Sequence, residues 1–248
     1  MAPLTDLSPP INSFFMIYIL AVSDENELHD NPVDLPRVDI LLSCGDLSPY
    51  YLGFLSDKYM PSARIMVHGN HDAKYFDVDE RPVNLGYSEK YNGMFSIVQG
   101  ICVLSRDDYA FLDDDLSIGG FSGISAHGDP PFYYTDYSLF TFKTSLFFKK
   151  HFSSFSGVDI LLTHAPPDFG LIRYDVGDHK PSPEIAGLKK YLDPKLWLYG
   201  HIHRRYTDTV LDFLLDNGDP LNLINACPYR YFSFDQHNGR ITFLDIPQ

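Results

Sequence analysis

The chain is poor in cysteine and in positive charge, and it has no long apolar run. Its 248 residues include three cysteines, Cys44, Cys102 and Cys227. Three thiols cannot all pair, which argues against a disulfide scaffold and fits a reducing compartment. The longest purely apolar run, Phe14 to Val22, is nine residues, against about 20 for a helical membrane span. No Lys or Arg precedes it, so it does not read as a secretory signal. These absences predict a cytoplasmic protein with no membrane attachment. Lys plus Arg number 19 against 33 Asp plus Glu, a net charge of −14. Nucleic acids and anionic lipids are held mainly by Lys and Arg, so this balance disfavours both as partners. A small anionic substrate then requires a local source of positive charge. Nothing in the sequence assigns an oligomeric state.

What is present is the composition of a folded protein, 44% hydrophobic and 21% charged, apolar enough to offset the entropy of ordering. Residues 1–15, rich in proline and serine, read as a loose leader, and residues 16–248 as a single domain. Five apolar runs stand out: Met16 to Val22, Val38 to Ser43, Arg64 to His68, Val158 to Thr163 and Leu196 to Tyr199. Continuous apolar strands indicate burial on both faces. Helical patterns lie between them at Pro49 to Lys58, Thr135 to Phe152 and Pro183 to Leu192, with Thr135 and Ser182 as caps. In the second, Leu139, Phe142, Leu146 and Phe147 follow helical spacing. Short strands with turn signals fill Phe95 to Phe121 and the last quarter: Tyr206 to Leu211, Leu221 to Asn225, Tyr229 to Phe234 and Arg240 to Leu244. They predict antiparallel hairpins, with Asn217-Gly218 and Asn238-Gly239 at turns. The fold class is α/β (α+β), two mixed sheets packed face to face with helices outside.

Each of the five apolar runs ends in a polar cluster. Strand ends on one edge of a helix-flanked sheet converge, and ligand sites form there. Asp24, Asp46, Asn70, His164, His201 and His203 are therefore candidates to face one another. Each offers an oxygen or an imidazole nitrogen, a donor set suited to Mn²⁺, Fe or Zn²⁺ more than to Ca²⁺. Two such ions about 4 Å apart can activate water and clamp a phosphoryl group, supplying the positive charge the chain lacks.

Gly45-Asp46, Gly69-Asn70-His71-Asp72, Thr163-His164-Ala165-Pro166-Pro167 and Gly200-His201-Ile202-His203 resemble, in order and context, the motifs of calcineurin-like metallophosphoesterases. Gly45 to Tyr51 further resembles the small prokaryotic-type phosphoesterases of that family. The resemblance implies a four-layer αββα sandwich with a dinuclear centre of divalent ions, Mn²⁺ first, with Fe, Zn²⁺ or Mg²⁺ as alternatives. By the same resemblance, Asp46 would bridge both metals. Asn70, His164 and His201 would complete one site, and Asp24 and His203 would belong to the other. His71 would sit over the phosphate as the catalytic residue. The family's first motif is Asp-x-His, whereas here it is Asp24-Glu25-Asn26. Asn26 takes the ligand's place with a neutral oxygen, so the first ion would be weaker, harder or absent. His29, Glu25 or Glu27 could compensate.

The implied activity is metal-dependent hydrolysis of a small-molecule phosphoester, a diester before a monoester. A degenerate single-metal member with a binding or regulatory role, and a nuclease, are the alternatives. Other features have plainer readings. The phenylalanines of Phe132 to Phe155 read as core, Asp113 to Asp115 as a solvated turn, and Cys44 as buried. His68 packs behind the site. His127, His151, His179 and His237 have no motif around them. Tyr50, Tyr51, Tyr133, Tyr134 and Arg173 are candidate pocket residues.

Overall fold

The computed structural model describes residues 16–72, 84–88, 93–98, 101–104, 109–112, 116–125, 132–172, 179–203, 205–206, 209–215, 218 and 220–244. The proposed leader, Asp113 to Asp115, His127, Arg173 and Asn217 lie outside them. The elements in chain order are β1 (Met16–Val22), α1 (Glu27–Asp30), β2 (Ile40–Ser43), α2 (Pro49–Tyr59), β3 (Ala63–Met66), β4 (Asn84–Ser88), β5 (Gly93–Val98), β6 (Ile101–Val103), β7 (Tyr109–Leu112) and β8 (Leu116–Phe121). They continue with β9 (Ile124–Ser125), β10 (Tyr133–Tyr134), α3 (Asp136–Phe152), β11 (Ile160–Thr163), α4 (Pro183–Ala186), α5 (Lys189–Leu192) and β12 (Leu196–Tyr199). The last are β13 (Val210–Leu214), β14 (Pro220–Asn225), β15 (Tyr229–Asp235) and β16 (Ile241–Phe243).

One sheet runs β16-β15-β1-β2-β3-β6-β5-β4 and the other β13-β14-β12-β11-β8-β7, with β9 and β10 a small separate pair. Both are mixed. The centres are parallel, β1-β2-β3-β6 in one and β8-β11-β12-β14 in the other. The flanks are antiparallel.

Side-chain alternation along the central strands builds the layers. Ile19, Ala21, Ile40, Leu42 and Ile65 of the first sheet meet Ile118, Ile160, Leu162, Leu196 and Leu198 of the second in the central core. Their neighbours Leu20, Val22, Leu41 and Met66 point the other way, onto Leu52 and Leu55 of α2. Leu161, Trp197 and Tyr199 pack against Leu139, Phe142 and Leu146 of α3. The result is the four-layer αββα sandwich. Ser48 caps α2 by accepting from the Tyr51 amide, with Pro49 at its start. Thr135 and Ser138 form a capping box on α3, worth about 1 kcal/mol.

Three expectations are corrected. Only the stripe Leu139, Phe142, Leu146 of α3 is buried. Phe140, Phe147, Phe148 and Phe152 are exposed, because a helix covering one sheet face has a single buried stripe. Pro183 to Leu192 is two short helices. Gly187 interrupts it, and the Leu188 amide reaches back only three residues, to the Ile185 carbonyl. Leu221 to Asn225 is not simply a hairpin strand, since β14 also runs parallel to β12. The Asn238-Gly239 turn does join antiparallel strands, with Gly239 at φ 74°.

A candidate metal centre at the strand ends

The sheets set β1, β2 and β3 on one side and β11 and β12 on the other, so the residues after these five strands meet at one edge. Asp24, Asp46 and His164 each bring a ligand atom within 4.8 Å of the other two. The Asp24 and His164 side chains are fully buried and that of Asp46 is nearly so. Asp24, Asp46 and His201 have φ of 66°, 59° and 67°, a left-handed backbone uncommon for residues with side chains and concentrated at functional sites. Two glycines allow the approach. Gly45, at φ 93°, packs where a Cβ would lie 2.3 Å from the Gly69 nitrogen. A Cβ on Gly69 would lie 2.1 Å from Asp46 Oδ1 and 2.7 Å from His164 Cε1.

His164 Nδ1 lies 2.7 Å from the Cys44 carbonyl oxygen. A carbonyl only accepts, so Nδ1 carries a proton and Nε2 points into the cluster, the arrangement typical of a metal-ligating imidazole. Nε2 lies 3.1 Å from Asn70 Oδ1 and 3.3 Å from Asp46 Oδ2. Asp46 Oδ1 accepts from the His71 amide at 2.7 Å. Its Oδ2 is buried with no hydrogen-bond partner among the described residues. An orphaned carboxylate oxygen beside an imidazole nitrogen and a second buried carboxylate fits a divalent cation. Without one, burial opposes the charge of Asp46, but His164 and the His71 amide outweigh it and hold the carboxyl at about 2. Burial likewise opposes the imidazolium of His164, and Asp46 outweighs it, raising the ring to about 9.

His203 Nε2 lies 3.4 Å from Asp24 Oδ1, and this contact raises its pKa. The His201 amide donates to both Asp24 oxygens, at 3.2 and 3.1 Å. Its ring centre is 5.0 Å from that of His164. His201 and His203 do not alternate along an extended segment, as the sequence suggested: His201 is left-handed and buried, whereas His203 is half-exposed. The His71 side chain is exposed, and its backbone supports Asp46.

Asn26 is exposed and caps α1 without a side-chain hydrogen bond to it. Its suggested substitutes are otherwise engaged. Arg205 pairs with both Glu25 and Glu27. His29 contacts Asp30 and the Phe54 ring. Cys44 is buried, its thiol pushed up by that burial. His68 packs on Phe132 behind the site. Tyr134 lines a neighbouring cavity, and the Tyr133 hydroxyl reaches the Asn70 carbonyl at 3.5 Å. Tyr50 is exposed, and the Tyr51 hydroxyl accepts from the Leu28 amide.

Two residues were missed. Asp72 is fully buried, and its Oδ2 accepts from the Gly69 amide at 2.8 Å and the Asp46 amide at 3.1 Å. Its place in the Gly69 to Asp72 motif was the available signal. His179 packs its ring against both His201 and His203, with no local motif to announce it.

Among the described residues, no helix is long and apolar enough to cross a membrane. No curated protein matches the chain significantly. Among solved structures, TT1561 of Thermus thermophilus is similar at 15% identity and TM-score 0.54, over 93% of this chain and 99% of that one. Two others align at TM-score 0.46 and 12% identity. One is GAP50 of Plasmodium, titled the anchor in the inner membrane complex, over 94% of this chain and 90% of that one. The other is a Staphylococcus aureus protein titled a 5'-nucleotidase, over 93% of this chain and 53% of that one. The calcineurin-like phosphoesterase profile matches residues 21–205, a span holding all four motifs, and the chain belongs to the calcineurin-like phosphoesterase family.

Proposed function

We propose that the protein is a metal-dependent phosphoesterase that hydrolyses a small-molecule phosphoester, a diester by preference. The observation that carries the reading is the buried cluster Asp24, Asp46 and His164 with its orphaned Asp46 oxygen. Asp46, Asn70, His164 and His201 would hold one divalent ion, and Asp24, Asp46 and His203, with Asn26 at the family's ligand position, the other. Bound ions, Mn²⁺ by preference and Fe, Zn²⁺ or Mg²⁺ as alternatives, would supply Lewis acidity, lowering the pKa of water toward about 7 and neutralising phosphate charge. The Cys44 carbonyl holds the His164 ring, and the His71 amide holds Asp46. The exposed His71 imidazole would protonate the leaving oxygen.

A cavity of about 290 Å³ opens beside His201, lined among others by Ser125, Tyr134, Lys180 and Glu184. Its size is near the lower end for small-molecule sites, roughly 300 Å³. Lys180 gives it a cation in an otherwise acidic chain. The small size favours a small phosphoester over a nucleic-acid strand. Asn26 supports a second reading, a weakened first site that leaves one tightly held ion. The test is hydrolysis of bis(p-nitrophenyl) phosphate and p-nitrophenyl phosphate with and without Mn²⁺. Metal-dependent turnover, faster on the diester, is expected. No turnover of either by metal-loaded protein would overturn the reading, and faster cleavage of single-stranded DNA would move it to a nuclease.

A further inference from the structure

His179 is an exposed residue whose ring centre lies 4.8 Å from that of His201 and 5.5 Å from that of His203. Its segment is anchored close by. The Ser182 amide donates to the Pro166 carbonyl at 2.8 Å, and the Asp168 amide donates to the Ser182 carbonyl at 3.0 Å. This ties the residues that follow His179 to the loop after His164. Two imidazoles on one ion, with metal–nitrogen bonds of about 2.0–2.1 Å, hold their ring centres roughly 4.5–5.6 Å apart for coordination angles of about 90–120°. The 5.5 Å between His179 and His203 falls in that range, as does the 5.0 Å between His164 and His201.

The Asp24–His203 side of the centre is where an imidazole is missing. Asn26 is exposed, Glu25 and Glu27 pair with Arg205, and His29 lies against Asp30 and Phe54. We propose that His179 ligates the divalent ion held by Asp24 and His203, replacing the imidazole that Asn26 does not supply. The inference rests on the metal-centre reading above. The ligand arrives from the residues just before α4 in place of the loop after β1.

The test is calorimetric titration of Mn²⁺ into the parental protein and His179→Ala. His179 is exposed, so the variant should fold, and near-ultraviolet circular dichroism checks this. The expected result is two binding steps in the parent. In the variant the looser step should weaken by at least about 10-fold, the lower bound for losing even an outer-shell partner, with the tighter step unchanged. Visible absorption of the Co²⁺-loaded proteins should differ as well, a change that a purely structural histidine would not cause. Identical titrations and spectra overturn the assignment while leaving the metal centre intact. A raised KM with parental Mn²⁺ affinity also overturns it, making His179 a substrate contact. A parental protein that takes up no Mn²⁺ overturns the metal centre itself.

Discussion

Replacing Asp72 by alanine tests whether the site is held from behind as the geometry indicates. Its carboxylate is fully buried, and Oδ2 receives the Gly69 and Asp46 amides at 2.8 and 3.1 Å. Both amides belong to turns that aim proposed ligands. In Asp72→Ala two buried N–H groups lose their acceptor, each worth about 1–3 kcal/mol. The two share one carboxylate and are not additive, and the variant no longer buries a charge. A net loss of about 2–4 kcal/mol follows, or about 5–15 °C in Tm at roughly 2–4 °C per kcal/mol for a chain this size. Mn²⁺ affinity should fall by about 10–100-fold, as for other groups that orient ligands. Asp72→Asn keeps an acceptor oxygen and should lose less. Urea unfolding gives the stability and calorimetry the affinity. Asp72→Ala within about 0.5 kcal/mol of the parent, with unchanged Mn²⁺ binding, would refute the reasoning.

His71→Ala should lower turnover by about 10²–10⁴ with Mn²⁺ content retained, as loss of a general acid does; parental turnover on the diester would remove that role. Asn26→His should tighten the looser Mn²⁺ step and leave the other alone, read by calorimetric titration beside the parent. The metal-free protein should also show a pH signature of the Asp46–His164 pair. His164 is raised to about 9, so its stabilisation is complete below about 6.5 and is lost as pH rises through about 9. Asp46 is lowered to about 2, so its stabilisation is complete above about 4 and is lost as pH falls through about 2. Metal-free stability should therefore decline from about pH 6.5 to about pH 9, measured by urea unfolding. Mn²⁺ binding at pH 7 should release a proton, seen as a buffer-dependent heat.

The strands that carry the site were legible because burial on two faces writes itself as an unbroken apolar run. Met16 to Val22 and Leu196 to Tyr199 were located to the residue, and the capped start of α3 was read from Thr135. Long-range geometry was not legible. His179 meets His201 and His203 from a segment whose Ser182 is tied to the loop after His164, a long-range contact with no local signature. The left-handed turns at Asp24, Asp46 and His201 override local preference, and they make simple alternation a poor guide to where His201 and His203 point. The role of Asp72 depends on which amides it receives, a matter of packing. β4, with the sequence Asn84-Leu85-Gly86-Tyr87-Ser88, has no apolar run to reveal it and is held by pairing with β5. The exposed phenylalanines of α3 show the converse: apolar composition alone did not place them in the core.

Elemental analysis of Mn²⁺-reconstituted parental protein and Asp46→Asn, alongside diester hydrolysis, tests the central claim most directly. Asp46 contacts His164 and lies within ligand distance of Asp24, and it is the proposed bridge, so both ions depend on it. The account predicts about two ions per chain and metal-dependent turnover in the parent, with metal and turnover both lost in Asp46→Asn. A parental protein without metal, or an Asp46→Asn variant that keeps both ions and full activity, would contradict it.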